Sequence, residues 1–170
     1  MFSNSGNQLV AIQYLTRLFD NEEKRLVVIE SKITQLISQS GVVISLIAFL
    51  VPFLYERLIT SNCLIKVGFS LLFILTVTLL GFSIYTASKI FNVKKFRYMD
   101  CDTASVTQNF DTIEEFNSEY ISDLKNSIEN NNKVNNEKAN ILLKSHFYFV
   151  RGLYSLITLT IILILNFLFQ

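Results

Sequence analysis

The densest set of side chains able to do chemistry lies between positions 89 and 98, where Lys89, Lys94, Lys95 and Arg97 are interleaved with Phe91, Phe96 and Tyr98. Cations alternating with aromatic rings suit a nucleotide or a single-stranded nucleic acid, because the charges attract phosphates and the rings stack on bases. Lys24 and Arg25 supply two further cations upstream. The same basic cluster also suits a plainer role, contact with anionic lipid heads beside a membrane helix. A second set is polar and uncharged. Ser31, Gln35, Ser38 and Ser45 share one helical face, and the last three lie inside an otherwise apolar run. Hydroxyls and amides are costly in hydrocarbon, so such a face either lines a conduit or meets another helix. Gln35, Ser38 and Ser45 are the candidate pore lining, while Gly41 and Ser45 have the small-xxx-small spacing of a helix contact. Ser155, Thr158 and Asn166 form a weaker stripe near the C-terminus.

Catalysis finds no comparable support. The glycines are isolated, with neither a phosphate-cradling GxxxxGKS/T loop nor a GxSxG nucleophile elbow, and His146 stands alone among aromatics as an interface or packing residue. One histidine and two distant cysteines, Cys63 and Cys101, give no ligand cluster. We expect no enzyme, no metal and no cofactor.

The elements that position these residues follow from hydropathy. Hydrophobic residues make up 51% of the chain and charged ones 17%, with a single proline. The apolar residues are gathered into long uncharged blocks, Ile33–Tyr55, Val67–Ser88 and Gly152–Gln170, the last extended inward by His146–Val150 around Arg151. Each block is roughly 19 to 23 residues, about 28 to 34 Å as a helix, which is enough to cross a hydrocarbon core. The first block starts too far into the chain, and behind too many charges, to be a cleaved signal peptide. Lys24, Arg25 and Lys32 precede the first block, Lys89 to Arg97 follow the second, and Lys133, Lys138 and Lys144 precede the third, whereas Arg57 and Lys66 alone mark the opposite side. The bias places the N-terminus and the middle segment in the cytoplasm and Gln170 outside. Cys63 and Cys101 then lie on opposite sides and cannot pair.

The expected fold class is an all-α membrane protein with three transmembrane helices and long cytoplasmic helical extensions that form an oligomeric stalk. Residues 1–20 read as an amphipathic segment, with Leu9, Ile12, Leu15 and Phe19 at helical spacing, lying on the membrane, on a partner or on the protein's own body. Asp20-Asn21-Glu22-Glu23 has the form of a helix start, so 21–58 is one long helix entering the first span and ending near Pro52 or Tyr55. Residues 64–92 form the second span, 93–145 the stalk segment and 146–170 the third span. Within the stalk, Thr112-Ile113-Glu114-Glu115 is a capping box. An apolar seam runs through Ile113, Phe116, Tyr120, Leu124, Ile128, Val134, Ile141 and Leu142. Asn130, Asn131, Asn132, Asn135 and Asn136 interrupt it, either fixing the register of an assembled stalk or marking a solvated stretch.

Glu22-Glu23-Lys24-Arg25, Ile29-Glu30-Ser31-Lys32 and Gln39-Ser40-Gly41-Val42-Val43-Ile44-Ser45-Leu46 resemble the approach to the first span in small bacterial anti-phage membrane effectors. These are the SLATT and Pycsar transmembrane effectors and the transmembrane ion-channel effector of the Hailong system. Asn135-Asn136-Glu137-Lys138-Ala139 is similar to a pattern before the last span in the same group. The resemblance implies an effector in the bacterial inner membrane, paired with a nucleotidyltransferase that supplies its ligand. The Hailong-like arrangement, a homotetrameric channel held shut by single-stranded DNA oligomers, suits this chain best, because it has no separate sensor domain. Pycsar-type members arrange their spans differently.

Together these readings give a homo-oligomeric ion channel of anti-phage defence, gated at its cytoplasmic mouth by a nucleotide or single-stranded oligonucleotide, which depolarises the host membrane. Lys94, Lys95 and Arg97, helped by Lys24 and Arg25, would bind the phosphates. The alternative is a non-conducting membrane adaptor that docks a cytosolic partner through its stalk. A transporter is less attractive, since no charge lies mid-span.

Overall fold

A computed structural model of the chain describes residues 4–59, 63–93, 95–97 and 112–168, including their side chains except at 4, 5, 53–59 and 167. The described residues form three α-helices: α1 (Asn4–Ile59), α2 (Cys63–Ser88), which runs into a 3-10 turn (Lys89–Asn92), and α3 (Ile113–Leu168). No strand occurs among the described residues. α1 and α3 are 56 residues each, about 84 Å long at the rise of an α-helix.

α1 departs from the sequence reading at both ends. It begins at Asn4 and passes through Asp20–Glu23 without a break, so the expected helix start there is interior. Leu15, Phe19 and Leu26 on either side of those residues are anchored in one apolar core, and that burial outweighs the local capping preference. The other end runs past Pro52 to Ile59. Proline removes one backbone bond and crowds the preceding turn, a loss that membrane helices tolerate better than soluble ones. α3 starts where expected: the Thr112 hydroxyl accepts the Glu115 N–H at 3.2 Å, and Glu114 and Glu115 sit in the positive first turn.

Each helix contains a stretch long and apolar enough to cross a membrane, and those stretches are only 22%, 17% and 22% buried within the protein. Phe49, Leu71, Ile74 and Ile161, among others, face outward. An apolar surface on that scale is not sustained in water, and it is consistent with a multi-pass membrane protein.

The inward faces follow a seven-residue repeat. On α3 the buried positions Leu124, Asn131, Lys138, Ser145, Gly152 and Leu159 recur every seven residues. On α1 they are Phe19, Leu26, Ile33, Ser40 and Ile47, and in the α2 region Phe69, Thr76, Ser83 and Ile90. A 3.5-residue period keeps one seam turned toward a partner helix over many turns. The apolar seam expected on α3 is part of this face, but Ile113 is exposed and four of the six α3 repeat positions, Asn131, Lys138, Ser145 and Gly152, are polar or small.

Contacts divide the chain into two compact units, residues 1–30 with 93–139 and residues 31–92 with 140–170. The core of the first is Phe19, Leu26, Phe96 and Leu124, flanked by Leu15, Tyr120 and Ile128, with the Phe19 and Phe96 rings 6.0 Å apart. Leu15 and Phe19 of the N-terminal segment are therefore turned onto the protein's own body, whereas Leu9 is exposed.

In the second unit α2 and α3 are joined by paired hydroxyls. Ser83 Oγ donates to the Ser145 carbonyl at 3.0 Å and Ser145 Oγ donates to the Ser83 carbonyl at 2.7 Å, a reciprocal clasp that draws the two backbones together. Thr76 and Ser155 share a hydroxyl–hydroxyl bond of 2.8 Å. Leu80, fully buried, lies over Gly152, where an added Cβ would come within 2.8 Å of its side chain and 3.5 Å of its backbone nitrogen. Small residues at such crossings are how apolar helices approach closely. Gly152→Ala should therefore lower the thermal midpoint of the detergent-solubilised protein, at a cost of about 1–3 kcal/mol for overpacking. Gly41→Ala, where a Cβ meets nothing within 4 Å, should not lower the midpoint, and the better helix propensity of alanine should raise it slightly.

Candidate functional site

The basic segment after α2 is fastened by one side chain. Asn131, fully buried on α3, accepts the Arg97 N–H at 2.8 Å through Oδ1 and donates to the Arg97 carbonyl at 2.9 Å through Nδ2. This pairing satisfies both backbone groups of Arg97, as a neighbouring strand would, and leaves the side chains of Lys95 and Arg97 exposed. Lys94 and Tyr98 lie outside the described residues, as do Asp100, Cys101, Asp102 and Asp111.

Phe96 corrects the sequence reading. It is a buried member of the first unit's core rather than a stacking surface, because alternation along an extended segment turns Phe96 inward while Lys95 and Arg97 point out. Phe91 is 81% exposed. The Phe19–Phe96 contact brings this segment onto α1 about a turn and a half before Lys24. Lys24 is exposed, but Arg25 is engaged: its guanidinium donates to Asn136 Oδ1 at 2.7 Å and lies 3.5 Å from Glu22.

The asparagines divide into the fully buried Asn131 and Asn135, the partly buried Asn130 and the exposed Asn132 and Asn136. Asn135, fully buried, donates to the Glu22 carbonyl at 2.8 Å and to its carboxylate at 2.7 Å, and Asn132 donates to the other carboxylate oxygen at 3.1 Å. Asn136 donates to Asn132 Oδ1 at 2.9 Å, and Lys138, itself buried, bonds Glu30. Glu22, read from sequence as a first-turn acid, is instead the hub that ties α1 to α3. The buried Asn135 Oδ1 has no hydrogen-bond partner among the described residues.

The polar positions of α1 separate into two groups. Ser31, Ser38 and Ser45 are exposed on the face opposite the buried one, seven residues apart, with the Ser45 hydroxyl bonded to the Gly41 carbonyl at 3.0 Å. Gln35, about 60° around the helix from Ser38, opens instead onto a groove shared with His146 of α3. Among the described residues, nothing lies within 4 Å of where a Cβ at Gly41 would sit. The C-terminal stripe is also split: Ser155 turns inward to Thr76, while Thr158 is exposed and bonds the Tyr154 carbonyl at 3.0 Å. At the border of the third apolar block, the Arg151 guanidinium lies over the Phe147 ring at 3.8 Å.

Among the described residues, no three His, Cys, Asp or Glu side chains come together as a metal site. The small and polar seam of Thr76, Ser83, Ser145, Gly152 and Ser155 shows in sequence only through the seven-residue steps Thr76–Ser83 and Ser145–Gly152. The class defined by fold and site is an all-α chain with three helices able to span a membrane and a fastened basic segment at the end of the second. The chain matches no protein-family model, and neither curated proteins nor solved structures give a match. Asn131→Ala removes both partners of the Arg97 backbone, and each group so orphaned costs about 1–3 kcal/mol if it stays buried. The expected outcome is release of the segment, read as faster amide hydrogen exchange at residues 95–97 with exchange in α2 unchanged.

Proposed function

We propose that this chain is the subunit of a homo-oligomeric membrane channel, assembled through α1 and gated at its basic end by a phosphate-bearing nucleotide or single-stranded oligonucleotide. The observation that carries this reading is the outward face of α1. Ser31, Ser38 and Ser45 repeat every seven residues there, with Gly41 and Ala48 on one flank, and none of the three serines is used in packing within the chain. In hydrocarbon a seam of small and hydroxyl-bearing residues turned away from its own bundle favours another helix or water. Copies of α1 around an axis satisfy both, since three helices in one chain enclose no conduit.

Ser38 and Ser45 would then line the conduit, with Gln35 toward the groove at its side. Lys95 and Arg97 would take the ligand phosphates together with Lys94, and Lys24 would assist. Arg25, held by Asn136 and Glu22, would serve structure more than ligand. Occupancy would bias the assembly between two helix packings through its different affinity for each. The resemblance to bacterial anti-phage effectors supports a tetramer in the inner membrane, with N-terminus cytoplasmic and C-terminus external. It supports a nucleotidyltransferase as the source of the ligand and depolarisation as the output, with no catalytic role for this chain.

The test is conductance of the purified full-length protein in planar bilayers, with and without short single-stranded oligonucleotides. Currents are expected, and oligonucleotides should change them. Ser38→Leu with Ser45→Leu should reduce conductance about tenfold by dewetting the pore. Lys95→Gln with Arg97→Gln should weaken the oligonucleotide effect about tenfold and flatten its salt dependence. Inserted oligomers that remain silent under both conditions would sink the channel and leave the adaptor reading.

A further inference from the structure

The groove that receives Gln35 lies within the second unit, between α1 and α3, with a volume of about 360 Å³. Lys32, Gln35 and Gln39 of α1 and His146 of α3 border it, over an apolar lining that includes Leu36 and Leu142. None of the four polar side chains is hydrogen-bonded or ion-paired among the described residues. An ammonium, two amides and an imidazole therefore converge on one cleft with their donors free, and no carboxylate lines it. Donors gathered around a net positive charge, with no carboxylate opposing it, select an anion.

The level of the groove says which anion. Lys32 is the last charge before the first apolar block, and His146 opens the aromatic run that leads to the third. Both helices thus pass from charged to apolar sequence at this cleft, the depth at which lipid head groups lie. An occupant must present phosphate to Lys32 and apolar surface to Leu36 and Leu142, a pairing that a phospholipid, with acyl chains beside its phosphate, meets better than a nucleotide with its polar sugar. No acidic or aromatic side chain lines the groove to receive a trimethylammonium group.

The geometry points to a binding site for the phosphate of an anionic phospholipid, held by Lys32, Gln35, Gln39 and His146. It goes beyond the channel proposal and requires only that the helices enter a bilayer.

The test uses the full-length protein in neutral detergent, incubated with dioleoyl-phosphatidylglycerol or dioleoyl-phosphatidylcholine and examined by native mass spectrometry. Phosphatidylglycerol should be retained in about tenfold preference, the scale of one charge-assisted contact. Lys32→Gln and, separately, Gln39→Leu should each lower its retention severalfold toward that of phosphatidylcholine. Lys133→Gln, an exposed charge outside the groove, should leave retention unchanged. Because both groove positions are exposed, the variants are expected to keep the helical circular dichroism of the parent. Equal retention of the two lipids, or phosphatidylglycerol binding indifferent to both groove variants, overturns the site. A short thymidine oligomer that displaces the lipid in a Lys32-dependent manner would instead assign the groove to nucleic-acid phosphate.

Discussion

α3 has to present one packing seam over 56 residues, part of which is charged in sequence and part almost wholly apolar. A seven-residue repeat keeps that seam in line, and the chemistry of its positions changes along the helix. Where charged residues are frequent the buried places go to Asn131, Asn135 and Lys138, and where they are not, to Ser145, Gly152 and Ser155. Leucines throughout would give a stickier helix with no fixed register. Amides and hydroxyls that must find particular partners fix it.

Those partners show a division of labour. Asn131 holds the chain after α2 and Asn135 holds α1 through Glu22, so one turn of α3 organises everything around it in the first unit. Ser145 and Ser155 do the same for α2 in the second unit, by hydroxyl bonds that cost little because a serine can also bond a backbone carbonyl. Three buried polar atoms lack a hydrogen-bond partner among the described residues: besides Gln8 Oε1 near the start of α1 there are Ser40 Oγ and Asn135 Oδ1, each a burden of about 1–3 kcal/mol. The latter two sit on the inward seam, where a looser packing of the helices would relieve them.

The outward face of α1 carries a second seam with the same period and different residues. Phe19, Leu26, Ile33, Ser40 and Ile47 face in; Ser31, Ser38 and Ser45 face out. The inward seam is spent on the protein's own packing; the outward one is exposed, and it is the face on which the channel proposal rests.

Three helices long and apolar enough to span a membrane and the cap of α3 at Thr112 are legible in the sequence, because they depend on local facts: run length and a capping hydroxyl. The uninterrupted course of α1 through Asp20–Glu23 is not, since a capping signature is read locally while burial of Phe19 and Leu26 is decided by residues a hundred positions away. Phe96 looks like a stacking ring in a basic run and becomes core once Phe19 is placed against it. Arg25 looks like a free cation until Asn136 is brought beside it, and the asparagines look like an interruption until Glu22 and Arg97 supply what an amide needs. Composition and periodicity determine that these helices form and that they suit a bilayer. Only tertiary structure decides which polar side chains are spent on the protein itself and which remain for a ligand, because hydrogen bonds are made between positions that sequence order keeps far apart.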